Sequence, residues 1–330
     1  YNGLGTLCLF GTTRFYRTQA MKFIVKQCAK SLLLFFMLST LSCSFDSGRD
    51  VVVAVGETAQ VVDDDDAADD SVLLSSLDGQ VVWIVGTNKR RGLVWYDLSG
   101  KELGRLDVGR LNNVDAVRIE NSNRFKVAAG NRTDLSVDFF EADMDAGTIV
   151  KTEQLGLTLD DAYGLCVSES RIAIGDKSGN VQILDWKDKS LKDSLRFQSS
   201  TEGCVFDIAA ARLFVGEEEK GIWMVDMSTG EMSLFDDITN GNLTADIEGL
   251  DIYDRAGRKY LLASSQGDDS FVVYDLDTGQ IETKFHIAGS QDGAIDEVTH
   301  TDGVAILSMP VRDFSEGILV VQDDENFDKD

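Results

Sequence analysis

Short runs of alternating apolar and polar residues recur along the chain, each closed by glycine, aspartate, asparagine or serine. Apolar positions such as Leu250, Ile252 and Leu262 keep a period of two, which suits half-buried strands rather than helices. The clearest stretch is 246–279. It reads Asp-Ile-Glu-Gly-Leu-Asp-Ile-Tyr, a turn at 255–259, Tyr-Leu-Leu-Ala-Ser-Ser-Gln-Gly and, after Asp268-Asp269, Ser-Phe-Val-Val-Tyr-Asp-Leu-Asp-Thr-Gly. This three-run unit can be traced five more times. Its third run ends in an acidic turn marked by Asp97, Asp143, Asp185, Asp226, Asp275 and Asp323, at separations of 46, 42, 41, 49 and 48 residues. The middle runs correspond at 81–88, 125–131, 171–177, 212–218, 260–266 and 304–309. The inner runs correspond at Asn113-Val-Asp, Tyr163-Gly-Leu, Glu202-Gly-Cys, Glu248-Gly-Leu and Asp302-Gly-Val.

A period of roughly 40–50 residues with several strands each predicts an all-β fold, a six-bladed β-propeller. The alternative for so many short strands is a β-sandwich or jelly roll. No Gly-His…Trp-Asp pattern marks a WD40 propeller. In a propeller the inner strands line a central channel. Their ends, with the following loops, gather residues from all blades at one mouth.

Upstream of the repeats, residues 1–20 are expected to have no structural role. Residues 21–43 read as a secretory signal peptide, with Lys22, Lys26 and Lys30 before an apolar run at 31–41. That run is far short of the roughly 20 residues a spanning helix needs. Leu41-Ser-Cys43 followed by Ser44 resembles a bacterial lipobox. This predicts a lipid anchor at Cys43, hence an outer-membrane lipoprotein; an ordinary cleaved signal would give a periplasmic or extracellular protein. Residues 44–68 read as an acidic tether with a solvated run at 63–66, and 69–330 as the propeller domain. Tyr1 in place of Met, and an end soon after a strand, read as the ends of a fragment, with Met21 as the expected start.

The first 43 residues hold five basic and no acidic residues, so the remainder carries 26 basic against 57 acidic, a net −31. Such a charge repels nucleic acid and anionic membrane surfaces and suits a divalent cation, although solubility alone also explains acidity. After Cys43 only Cys166 and Cys204 remain. They read as buried small hydrophobes, with a disulfide as the alternative in an exported protein.

Several catalytic devices are absent: there is no Gly-x-Ser-x-Gly elbow, P-loop, CxxC or HExxH, and neither His286 nor His300 follows arginine. What remains is rich in oxygen. Glu217, Glu218, Asp246, Glu248, Gln266, Asp296 and Asp302 are all expected at one mouth. Any one of them reads equally well as a turn cap. As a set, carboxylates this close raise each other's pKa unless a cation sits among them, and calcium takes six to eight oxygens in loose geometry. Lys89-Arg90, Arg132 and Lys177 each follow a middle run. Cations at equivalent places in successive blades of so negative a chain point to a bound anion, and arginine offers two contacts to phosphate.

These residues match a known pattern. Gly86-Thr-Asn-Lys-Arg-Arg-Gly-Leu-Val-Trp-Tyr-Asp-Leu, Gly109-Arg-Leu-Asn-Asn-Val-Asp, Ala129-Gly-Asn-Arg, Tyr163-Gly-Leu-Cys and Gly175-Asp-Lys-Ser-Gly come first. Thr201-Glu-Gly-Cys, Gly216-Glu-Glu-Glu-Lys-Gly-Ile-Trp, Asp246-Ile-Glu-Gly-Leu, Leu261-Leu-Ala-Ser-Ser-Gln-Gly, Thr301-Asp-Gly-Val and Glu316-Gly-Ile-Leu-Val-Val-Gln-Asp follow. In this order the chain resembles the β-propeller phytases, the alkaline, calcium-dependent 3-phytases, from about residue 69 to 326. The family's Asp-Asp-Pro-Ala-Ile-Trp stands here as Asp69-Asp70-Ser-Val-Leu-Leu, which keeps both acids and loses the proline and tryptophan.

The resemblance implies several Ca2+ ions at one end of the channel. Asp69, Asp70, Glu217, Glu218, Asp246, Glu248, Gln266, Asp296 and Asp302 would be ligands, with Glu217 among the residues that hold a bridging water. It implies that Lys89, Arg90, Arg132, Lys177 and Tyr163 contact substrate phosphates, one at a cleavage site and one at an affinity site. The expected partner is phytate or calcium-phytate, and the expected state a monomer. The competing readings are a non-catalytic calcium-stabilised propeller that binds a glycan or protein, and another phosphoesterase on the same scaffold.

Overall fold

The computed structural model describes residues 3–9, 50–63 and 67–324. The signal stretch 21–43 with Cys43, the acids at 64–66 and residues 325–330 lie outside the described residues. β1 (Gly3–Leu9) and β2 (Asp50–Glu57) precede four antiparallel sheets of four strands each. The first is β3 (Ala68–Ser75), β4 (Val82–Asn88), β5 (Gly92–Asp97) and β6 (Glu102–Asp107). The second is β7 (Leu111–Arg118), β8 (Arg124–Asn131), β9 (Ser136–Asp143) and β10 (Thr148–Gly156). The third is β11 (Leu165–Val167), β12 (Arg171–Gly175), β13 (Asn180–Asp185) and β14 (Leu191–Arg196). The fourth is β15 (Thr201–Asp207), β16 (Arg212–Glu217), β17 (Gly221–Asp226) and β18 (Met232–Asp237). A fifth sheet has eight strands. In it β19 (Leu250–Arg255), β20 (Arg258–Ser265), β21 (Ser270–Asp275) and β22 (Ile281–Ala288) continue, across a parallel β22–β2 pairing, to β1, β24 (Ile318–Asp323) and β23 (Val304–Leu307). The arrangement is an all-β propeller, with five sheets among the described residues.

The structure departs from the sequence expectations in several places. Each unit has four strands, not three. The outermost strand escapes a hydrophobic pattern because it buries so little: β14 is exposed at five of its six residues. Residues 3–9, expected to have no structural role, form β1, and part of the expected tether forms β2. Asp63, expected to be solvated, accepts hydrogen bonds from Asn88 and from Arg91, whose bond to it holds its carboxyl below the usual range. The run 304–309 is an inner strand, not a middle one. Asp323 ends the second strand of its unit rather than the third, because β1 and β2, from the far end of the chain, supply the outer pair. Loss of the family's proline leaves β3 intact.

Apolar clusters fill the spaces between successive sheets. Trp83, Val85 and Trp95 pack on Val114, Phe125 and Val127, and Ile84 and Val94 pack on Ala305, Ile318 and Val320. Within the eight-stranded sheet, Leu262, Phe271 and Phe285 pack against Val304, Leu319 and Val321 in the same manner. Cys166 of β11 and Cys204 of β15 form a disulfide. Among the described residues no helix is long and apolar enough to cross a membrane.

The inner strands surround a cavity of about 180 Å³, lined in part by Asp115, Asp251 and the two bridged cysteines. At the mouth end of three inner strands the register slips, between Ala68 and Ser71, Leu111 and Val114, and Thr201 and Cys204. Such bulges re-aim side chains beside a site, and here the slips span Asp69-Asp70, Asn112-Asn113 and Glu202-Gly203.

Burial pushes the Asp115 carboxyl up to about 6 and the Asp251 carboxyl up to about 7. Between the ordinary aspartate value of 3.8 and these values the folded chain holds protons that the unfolded chain has released, so stability falls as pH rises through the window. In chelator the melting midpoint is expected to fall as pH is raised from about 4 to 7, and Asp251→Asn is expected to flatten the fall. A midpoint that climbs over the same window would overturn this assignment.

Candidate active site

Residues at or just before the start of β3, β7, β11, β15, β19 and β23 gather at the mouth: Asp69, Asn112, Tyr163, Glu202, Glu248 and Asp302. In four consecutive cases the next residue is glycine, and there is no room for anything else. A Cβ on Gly164 would lie 2.2 Å from the Glu202 carbonyl oxygen, one on Gly203 2.3 Å from that of Glu248, and one on Gly249 2.5 Å from that of Asp302. The glycine repeated after Tyr163, Glu202, Glu248 and Asp302 is therefore a packing requirement that also fixes where these four side chains stand.

Oxygen ligands converge here. Glu202, Glu218 and Glu248 each present a carboxylate oxygen, and these atoms lie within 4.8 Å of one another. Burial pushes Glu202 and Glu248 well above the usual carboxylate range. Asp69 and Asp302 add to the shift of Glu202; Glu202 and Asp302 add to that of Glu248. Glu218 is raised by burial and then by Asp246, and its Oε1 is buried with no hydrogen-bond partner. Asp246 is itself raised, by burial and then by Glu219 and Asp302. Gln266 donates its side-chain amide to Glu248 Oε2 at 3.0 Å and to Asp302 Oδ1 at 2.6 Å, which ties two ring acids together.

The cations interlock with the acids. Lys89 Nζ stands 2.9 Å from both Asp69 Oδ1 and Asp302 Oδ2. Arg132 donates to both oxygens of Asp161, at 3.1 and 2.8 Å, and to Asn112 Oδ1 at 3.3 Å. Asn112 in turn donates to Glu202 Oε1 at 2.7 Å. Two cations stand over the Tyr163 ring, Lys177 Nζ at 4.4 Å and the Arg132 guanidinium carbon at 5.6 Å from its centroid. Burial, followed by the charges of Glu202, Glu218 and Glu248, pushes the Tyr163 hydroxyl far up, so the phenol stays protonated. Arg90 stands exposed on the rim beside Lys89.

Three expected residues are placed elsewhere. Glu217 is turned into its own blade: Oε1 accepts from the Gln198 and Ser199 amides at 2.6 and 2.7 Å, and Oε2 from Trp223 Nε1 at 2.8 Å. With both oxygens taken, its place among the open acids falls to Glu218 and Glu202. Asp70 points down the channel, where it accepts from the Val114 amide at 3.1 Å. Asp296 stands beside Asp323 and Glu57. Burial pushes Asp323 up to about 7, and these two charges add to the shift. Glu202, Asn112, Asp161 and Asp323 are the residues that sequence reasoning did not select. Glu202 was within reach, since it occupies the same place before glycine as Glu248 and Asp302.

Asp161→Ala is expected to lower kcat/KM about tenfold, because Arg132 loses the partner that orients it, much as supporting residues around a metal ligand do. Unchanged kinetics would show that Arg132 needs no such support.

The comparisons with known proteins bear on the family. A family model described as Phytase matches residues 22–330. The 3-phytase of Bacillus subtilis (strain 168) is 30% identical over 333 residues, covering 91% of this chain and 86% of that protein. Among solved structures, the computationally designed Ika8 protein is similar at 16% identity and a TM-score of 0.44, over 82% of this chain and 76% of its own. A family match over most of the chain, together with the Bacillus subtilis relative, makes the protein a phosphoric monoester hydrolase: the chain belongs to the phytase family, as a β-propeller phytase.

Proposed function

We propose that the mouth hydrolyses phosphate monoesters of phytate, myo-inositol hexakisphosphate, with several calcium ions held among its carboxylates. The observation that carries this reading is the convergence of Glu202, Glu218 and Glu248 oxygens within 4.8 Å of one another. Like charges held so close in a buried place either take up protons or hold a cation, and the all-oxygen donor set suits calcium. Glu218 Oε1, buried and without a hydrogen-bond partner, fits a ligand role. Asp246, Asp302, Gln266 and Asp69 would complete the ligand shells. Asp296, with Asp323 and Glu57, would hold a further ion away from the reacting centre. Calcium bound in the mouth supplies neutralisation of substrate charge and a more acidic water.

The chain's own groups do the rest. Arg132 and Lys177, set by Tyr163, bind the phosphoryl oxygens of the ester to be cleaved and stabilise the charge that develops there. Where Asp69 and Asp302 would hold calcium, Lys89 would turn from them to a substrate phosphate, and Arg90 on the rim would take a second phosphate.

We further infer six blades, counting the eight-stranded sheet as two, since its halves pack on each other as neighbouring sheets do. The disulfide suits an oxidising compartment and so supports export; a monomer anchored through Cys43 is part of the same proposal.

The test is phosphate release from phytate with calcium and with chelator, beside melting curves in both. Native-state binding at a hundredfold excess over Kd adds about 2.7 kcal/mol. The midpoint should therefore rise by roughly 5 °C or more with calcium, and chelator should abolish turnover. Identical curves and calcium-independent activity would sink the metal reading. Equal rates on simple phosphomonoesters would point to a broader phosphoesterase.

A further inference from the structure

Below the mouth, neighbouring inner strands are tied across the channel wall. The Asp115 carboxylate of β7 accepts from the Val167 amide of β11 at 2.7 Å, and Asp251 of β19 accepts from the Ile306 amide of β23 at 2.6 Å. These aspartates come three residues after the ring positions Asn112 and Glu248. Three residues after Tyr163 the same place holds Cys166, and there the tie is covalent, to Cys204 of β15 with a Cα–Cα distance of 5.6 Å. β11 has the least hold of its own. It is three residues long and pairs with β12 through three residues only. Yet the segment it anchors carries Tyr163, whose ring packs against Arg132 and Lys177 and whose hydroxyl feels the charge of Glu202, on the far side of the bridge, before that of any other acid.

We propose that the Cys166–Cys204 bridge is a positioning device for the reaction: it sets the separation of Tyr163 and Glu202, and through the tyrosine ring the placement of the two phosphate-binding cations. The proposal rests on reading the mouth as the phytate-hydrolysing site. Two of the other blade junctions carry a carboxylate-to-amide tie at this level, and this junction has a sulfur bridge in its stead.

The experiment compares wild type, wild type reduced by a phosphine and checked by thiol counting, Cys166→Ala/Cys204→Ala, and Cys166→Asp/Cys204→Ala. Readouts are kcat and KM on phytate at saturating calcium, with a melting curve for each. The alanine pair and the reduced protein are expected to stay folded at assay temperature and to lose about tenfold in kcat with little change in KM, since small misplacements act on the transition state. Cys166→Asp is expected to recover most of the loss, because it restores the kind of tie found at Asp115 and Asp251. If the alanine pair does not fold, the reduced wild type carries the comparison. An unchanged kcat in the reduced protein or the alanine pair overturns the proposal, and so does a loss that aspartate does not recover. Wild type inactive on phytate would remove the underlying reading and this proposal with it; failure of the proposal alone leaves wild type active.

Discussion

Arg132→Ala is expected to lower kcat/KM on calcium-phytate by about 10²-fold or more, roughly 2.7 kcal/mol of transition-state stabilisation, the size seen when one preorganised donor is removed. The guanidinium follows the second strand of its sheet and is aimed by Asp161 and Asn112 while lying over Tyr163. It can grip two phosphoryl oxygens at once, which an ammonium cannot, so Arg132→Lys should recover only part of the loss. The calcium-dependent rise in melting midpoint should stay as in wild type, because the arginine holds no metal. Full activity in Arg132→Ala, or a loss that merely tracks unfolding, would remove the residue from the site.

Gly203→Ala is expected to damage fold and site together. Its new methyl group would sit 2.3 Å from the Glu248 carbonyl oxygen, and backbone, not a yielding side-chain tip, stands in the way. Either the strand or its neighbour must move, at about 2–3 kcal/mol, or roughly 5 °C of melting midpoint. The movement separates Glu202 from Glu248, so phytate turnover should fall further than the lost folded fraction explains. Gly156→Ala is the control, since a Cβ there meets nothing within 4 Å. Equal melting of the two variants would show that the inner strands are not packed as tightly as these contacts require.

What was legible in the sequence depended on burial. Second and third strands, such as β4 and β5, are almost wholly buried and announce themselves by apolar content. Outermost strands such as β14 face solvent and leave no such trace. The same asymmetry governs the site. Glu248, Asp302 and Gln266 stood out because polar residues at strand ends are conspicuous, and they do converge. Glu217 and Glu218 cannot be told apart in a sequence, since alternation assigns faces only inside a strand and this pair lies where the strand stops. One is consumed by backbone amides and a tryptophan; the other faces the mouth. Asp323 was misassigned for a different reason. Pairing between β24 and β1 joins opposite ends of the chain, and no local pattern reports it.

The ring of mouth residues also bears on how the protein is assembled. Asp69 and Asp302 face the same lysine although more than two hundred positions separate them. No single sheet contains more than a fraction of the constellation, so a chain with several sheets formed has much of its β-structure and no centre. Contacts of such long sequence separation form late. On refolding, turnover therefore returns after the far-ultraviolet signal, and it reports closure of the circle rather than formation of its parts.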